Sequence, residues 1–110
     1  MNMTIDIKEN HQYVDVFVGG EIDAYTAPKL KEKLFPLSEQ EGVKMVVNLS
    51  AVTYMDSTGL GVIVGVFKSI RKYNGQFQLT GLSDRLIRLF TITGLSEIID
   101  INSVVEGEIQ

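Results

Sequence analysis

A chain of 110 residues, 45 % hydrophobic and 22 % charged, has the composition of an ordinary globular protein and the length of one domain. It contains no cysteine, which excludes a disulfide framework, a thiol nucleophile and a thiolate metal site. A net charge of −4, with ten basic residues scattered along the chain, supplies no basic stripe for nucleic acid.

The N-terminal segment Met1 to Glu9 lacks an apolar run behind basic residues, so no signal peptide is expected, and the absence of cysteine fits the cytoplasm. Thr4-Ile5-Asp6-Ile7-Lys8 alternates as a half-buried strand does, and Asn10-His11 marks a turn. Tyr13 to Val18 is a second strand that Gly19-Gly20 should end, and the two strands predict an antiparallel hairpin. Glu21-Ile22-Asp23 reads as a strand extension or an exposed loop. A helix should begin near Thr26 or Ala27 with Pro28 in its first turn, carry Leu30, Leu34 and Leu37 inward, and stop by Gly42. Pro36 falls inside that pattern and should kink or break it.

Met45 to Leu49 is a nearly continuous apolar run, expected of a central strand. A second helix should run from about Thr58 to Tyr73 and end at Asn74-Gly75. Its apolar stretch Leu60 to Phe67 is too short to cross a bilayer. Gln76 to Thr80 alternates as another strand. Ser83 should cap a third helix carrying Leu86, Ile87 and Phe90, with Gly94 as its stop and Leu95 folding back on Phe90 in a Schellman cap. Ile98 to Ile101 is a short last strand, and Ser103 to Gln110 reads as a polar tail.

The order β-β-α-β-α-β-α-β predicts an α/β fold in a single domain: a mostly parallel sheet of about five strands, opened by a hairpin. Polar side chains at Gln76, Gln78 and Thr80, and at Thr4, Asp6 and Lys8, predict that the helices pack mainly on one face. The groups Lys29–Lys33 and Lys68–Lys72 are expected to be solvated helix surface.

Met55-Asp56-Ser57-Thr58-Gly59-Leu60-Gly61 follows a strand and opens a helix. Helix N-termini carry unpaired N–H groups and partial positive charge, so a phosphate is tolerated there. Asp56 and Ser57 are also good N-cap residues, and capping alone would explain both. Gly59, Gly61 and Gly65 form a loose glycine series, but inside the helix pattern and without an acidic residue on the next strand; this is a weak dinucleotide signal. Asp56-Ser57-Thr58-Gly59 differs from the Asp-Ser-Gly of aspartic proteases by the inserted Thr58, and the βαβ pattern is wrong for that class. A phosphate on Ser57 would add about −1.5 to −2 charges at a helix start, and a docked partner would feel it. Val62 and Val66 lie off the core stripe of Leu60, Ile63, Val64, Phe67 and Ile70. Either a neighbouring helix covers them, or Gly61, Val62 and Gly65 present a flat apolar patch to a partner. The single histidine, His11, sits in a turn, and no acidic spacing suggests metal ligands.

Three segments together resemble the STAS family of anti-sigma factor antagonists: Gly20-Glu21-Ile22-Asp23 before a helix, Met55 to Gly61 opening the next, and Leu82-Ser83 to Gly94-Leu95. The resemblance covers nearly the whole chain. It implies a non-catalytic binding protein that works by partner switching in stress-response transcription. The unphosphorylated antagonist binds an anti-sigma factor that is also a serine kinase, and the sigma factor is set free. The kinase phosphorylates the serine matching Ser57, which ends the complex, and a PP2C-type phosphatase restores the hydroxyl. Asp23 matches the aspartate implicated in kinase contact; Asp56 and Thr58 flank the phosphoserine; Gly59, Gly61 and Val62 complete the expected contact surface. ATP and magnesium belong to the kinase, so the chain needs no cofactor. A further C-terminal helix of many family members would fall on Ser103 to Gln110. The alternatives are a STAS module of another signalling or transporter complex, and a small nucleotide- or ligand-binding domain.

Overall fold

A computed structural model describes residues 2–102. The expectations for Ser103 to Gln110, a tail or a further helix, lie outside the described residues. Strand β1 (Met3–Asn10) pairs antiparallel with β2 (Tyr13–Ile22) across a turn in which His11 has φ 58°. Helix α1 (Ala27–Ser38) leads to β3 (Lys44–Met55), α2 (Ser57–Lys72) to β4 (Gln76–Thr80), and α3 (Asp84–Ile92) with a 3₁₀ turn (Leu95–Glu97) to β5 (Asp100–Asn102). The strands lie side by side in chain order, and β2 to β5 are parallel.

Three crossovers that each step one strand in the same direction, all right-handed, must put their helices on one face of the sheet. The burial pattern agrees. Val14, Val16 and Val18, Met45, Val47 and Leu49, and Phe77 and Leu79 point into the core. The alternate positions Tyr13, Asp15 and Phe17, Lys44, Val46 and Asn48, and Gln76, Gln78 and Thr80 are exposed or half-buried on the open face. Leu30 and Leu34 of α1, Ile63, Val66 and Ile70 of α2, and Phe90 of α3 close the core from the helical side. The basic residues of both helical groups are exposed, as expected of solvated surface.

Several boundaries differ from the sequence reading. Gly19-Gly20 does not end β2; the strand continues to Ile22. β3 runs six residues past Leu49, to Met55. Both corrections have one cause. The β2–β3 register shifts twice, between Phe17 and Gly19 and between Gly20 and Glu21, and each shift inserts one extra residue on β3. Each bulge flips the side-chain phase, so the inward residues of β3 change from every second position (Met45, Val47, Leu49) to every third (Leu49, Val52, Met55). Gly20, at φ 89°, accommodates the bend on the partner strand, where Asn2 passes too close for a Cβ.

Pro36 does not split α1. It falls in the last turn, two residues before the helix ends at Ser38, so the one bond its missing N–H forfeits, to the Glu32 carbonyl, lies at the helix end. The helix therefore stops four residues before Gly42. Ser38 is buried, and its hydroxyl bonds to the Phe35 carbonyl (2.6 Å) and the Ser69 hydroxyl (2.8 Å), pinning the end of α1 to α2. Ser83 caps α3 as expected, accepting from Leu86 N–H at 3.2 Å. At the other end Gly94 is left-handed (φ 79°) and its N–H bonds to the Thr91 carbonyl (3.1 Å), one of the two Schellman bonds; the second, from Leu95 N–H to the Phe90 carbonyl, is not made. Leu95 instead opens the 3₁₀ turn that takes up Ile98, which is why the last strand begins at Asp100 and not at Ile98.

Phe90 is fully buried between α3 and the sheet. Phe90→Ala should lower unfolding free energy by about 3–5 kcal/mol, read as a fall in the urea midpoint at unchanged slope.

Candidate functional site

The β2–β3 ladder ends with Ile22 opposite Met55, so the next residues, Asp23 and Asp56, leave the sheet side by side at its C-terminal end. Asp56 N–H bonds to the Ile22 carbonyl (3.1 Å), which carries the pairing one residue past the strand. Asp56 is extended (φ −103°, ψ −175°) and caps α2: its carboxylate accepts from Gly59 N–H at 3.0 Å, and its carbonyl accepts from Leu60 N–H at 2.9 Å. The cap is thus Asp56 alone. Ser57 is the first helical residue and is exposed, as is Thr58.

Asp23 organises the turn before α1. Its carboxylate accepts from Tyr25 N–H (3.0 Å), Thr26 N–H (3.0 Å) and the Thr26 hydroxyl (3.2 Å). Thr26 answers by accepting from Asp23 N–H at 2.9 Å and reaching the Glu21 carbonyl at 2.8 Å. The Thr26 backbone N–H is the main reason the Asp23 carboxyl is held below the usual aspartate range; partial burial opposes it, and the Tyr25 N–H and Thr26 hydroxyl add to it. The turn also pushes Tyr25 into solvent at 82 % exposure, beside Asp23. Tyr25 and Thr26 were not singled out from sequence. The Asp-x-x-Thr spacing of a side-chain turn was the available signal.

Gly59 is buried because α2 starts almost in contact with β2. A Cβ there would stand 2.6 Å from both the Ile22 carbonyl oxygen and its Cγ2. One turn on, Gly61 is exposed with nothing within 4 Å of where a Cβ would lie, and Val62 is half-buried. The structure therefore brings Asp23, Asp56, Ser57 and Thr58 to one end of the sheet and leaves Gly61 and Val62 on the accessible flank of α2. Gly65 and Val66 do not extend that flank. A Cβ on Gly65 would meet the Phe35 ring of α1 at 2.9 Å, and Val66 is fully buried. The neighbouring helix covers the extra stripe, and the flat patch expected at Gly61, Val62 and Gly65 shrinks to its first two members. Nor do the glycines form a phosphate-cradling loop: Gly59 is spent on packing against β2 and Gly65 against α1. Among the described residues no group of three acidic or histidine side chains is placed to hold a metal, and no helix is long and apolar enough to cross a membrane.

A parallel sheet ending in a capped helix start, with loops gathered at its C-terminal edge, is a common setting for binding sites. Comparison with known proteins agrees with this architecture. Residues 4–107 match the family model described as STAS domain, and the chain belongs to that family. The anti-sigma-B factor antagonist of Listeria monocytogenes is 58 % identical over 109 residues, 98 % of this chain and 95 % of that one. The anti-sigma-B factor antagonist of Bacillus subtilis is 54 % identical over 110 residues, the whole of both chains. In three dimensions the phosphorylated form of the Bacillus cell-fate determinant SpoIIAA superposes with a TM-score of 0.76 at 20 % identity, over 96 % of each chain.

Two predictions follow from the geometry of the site. Gly59→Ala forces a Cβ against backbone and should cost about 1–3 kcal/mol, whereas Gly61→Ala, in open space on the same helix, should gain about 0.5–1 kcal/mol; chemical unfolding of the two variants reads the contrast. Carboxyl NMR should place the Asp23 midpoint below an ordinary aspartate value of about 3.9. Because the folded value is the lower one, the Asp23 contribution to stability is complete above the unfolded value and is lost as pH falls through the folded one. Asp23→Asn should flatten that acid limb.

Proposed function

We propose that this chain is an anti-sigma factor antagonist of the sigma-B type, controlled by phosphorylation of Ser57. The unphosphorylated protein binds an anti-sigma factor that is also a serine kinase, and so releases the sigma factor for transcription. The bound kinase transfers the γ-phosphoryl group of its own ATP to the Ser57 oxygen, and the complex separates. A PP2C-type phosphatase returns the chain to its binding form. The names of the relatives support the antagonist role, and the structure of a phosphorylated fold neighbour is consistent with the switch.

The observation that carries the reading is the placement of Ser57. It is exposed at the first position of α2, next to a carboxylate that already performs the capping, at a sheet end that also holds Asp23. The helix N-terminus tolerates a phosphate. A partner that has matched its charge to Asp23 and Asp56 does not tolerate two further negative charges in the contact. On this reading Asp23, Asp56, Thr58, Gly61 and Val62 surround the switch in the interface, while Gly59, buried against β2, only positions the helix start: the carboxylates supply charge, Gly61 lets the partner come close, and Val62 offers an apolar contact. The chain itself catalyses nothing, binds no cofactor and acts in the cytoplasm.

The decisive experiment incubates the protein with its anti-sigma kinase and ATP and measures intact mass, with Ser57→Ala beside it. One added phosphate in the wild type and none in the variant is expected; no addition with an active kinase would refute the switch. Ser57→Asp should keep the wild-type circular dichroism spectrum while its affinity for the kinase falls roughly a hundredfold or more.

A further inference from the structure

β1 borders the sheet, and among the described residues no strand pairs with its outer side. The phase of its hydrogen bonds is fixed. Glu21 N–H donates to the Asn2 carbonyl at 2.8 Å, and the register from Met3 opposite Gly20 to Asn10 opposite Tyr13 is unbroken. In an antiparallel ladder bonded and non-bonded pairs alternate. Asn2, Thr4, Asp6, Lys8 and Asn10 therefore direct their backbone groups to β2, and Met3, Ile5, Ile7 and Glu9 direct theirs outward. The edge is eight residues long, with neither proline nor bulge; of the common guards of an open edge it carries only charges, Asp6, Lys8 and Glu9, which a pairing strand has to match. The opposite border, β5, has only three residues.

We propose that β1 pairs antiparallel with β1 of a second copy about a two-fold axis at Ile7, joining the two sheets. Four registers near the middle of β1 put the outward-directed residues opposite one another; of these an axis at Ile5 sets Asp6 opposite Thr4 and leaves it without a charge partner. An axis at Asp6 sets Asp6 against Asp6; an axis at Lys8 sets Lys8 against Lys8. An axis at Ile7 sets Asp6 opposite Lys8 twice, in the non-bonded positions where cross-strand side chains come closest, about 4.5 Å between Cα atoms. The axis at Asp6 would offer one more bonded pairing but at the cost of that like-charge contact. With the axis at Ile7, Ile7 meets its own copy and Ile5 meets Glu9 on the helical face. Met3, Ile5 and Ile7 there are only half-buried at the rim of the core, and the second strand covers them. The surface is thus self-complementary in its backbone groups, in the Asp6–Lys8 charges and in the Ile7 contact at the axis, as a two-fold contact must be. It does not rest on the proposed switch: Ser57 lies beyond the Ile22–Met55 end of the sheet, past the start of β1 and away from the axis.

Sedimentation equilibrium of the whole chain, from micromolar to millimolar at low salt, should show a monomer–dimer equilibrium. Amide exchange measured across the same range should slow at Ile5, Ile7 and Glu9 as concentration rises, with Thr4, Asp6 and Lys8 protected throughout. Asp6→Lys should weaken the dimer about tenfold, through two like-charge contacts, and Asp6→Lys with Lys8→Asp should restore it. A monomer at every concentration overturns the proposal, as does a dimer whose concentration-dependent protection lies elsewhere, or a charge swap that fails to restore pairing in variants with wild-type circular dichroism. The wild-type exchange pattern decides the question even if a variant misfolds.

Discussion

The first turn of α2 rests on the last residue of β2. Ile22 gives its carbonyl to Asp56 N–H, and its backbone and side chain fill the space where Gly59 has no Cβ. This close approach fixes the height of α2 above the sheet, and through Phe35 against Gly65 and Ser38 against Ser69 it fixes α1 as well. It also sets Asp23 and Asp56 next to each other. One residue of β2 is thereby shared between the packing of the helical layer and the layout of the candidate site. That economy is reached only because β2 continues to Ile22, and it does so because β3 absorbs two extra residues alongside it.

Backbone donors hold both carboxylates at this end of the molecule. Asp23 is satisfied by two N–H groups and a hydroxyl, Asp56 by an N–H of the helix it caps. Hydrogen bonds from N–H groups stabilise the charged form of a carboxylate, so the sheet end presents two carboxylates in fixed geometry. On the proposed reading that end is what the partner recognises, and a phosphate adds to its negative charge without needing a change of backbone.

Much of this was legible in the residues. The strict alternation of Thr4 to Lys8 and Gln76 to Thr80, the Asp56-Ser57 start of α2 and the serine cap of α3 all rest on local chemistry, and each stands where that chemistry puts it. The misplacements share a different origin. The end of β2 and the second half of β3 depend on bulges, which scramble the two-residue period and make Ser50 to Met55 look irregular in isolation. Whether Gly65 is covered or open to a partner stays undecided in the sequence, because a helix read alone does not reveal that Phe35 of another helix packs against it. Asp23 and Asp56 stand thirty-three positions apart, and only the parallel register joins them. The residues that gather the site are long-range consequences of strand pairing, and strand pairing is the part of the fold that local pattern leaves open.

A consequence follows from Asp56, not Ser57, being the cap of α2. Had the serine supplied the capping oxygen, every change at its hydroxyl would also have altered the anchorage of the helix. With the two tasks on adjacent side chains, position 57 is released from structural selection, and its chemistry is free to be tuned by whatever enzymes act on it. On the proposed reading, drift at position 56 is penalised through folding and drift at position 57 through signalling. The pair thus separates how long the molecule lasts from what the molecule reports.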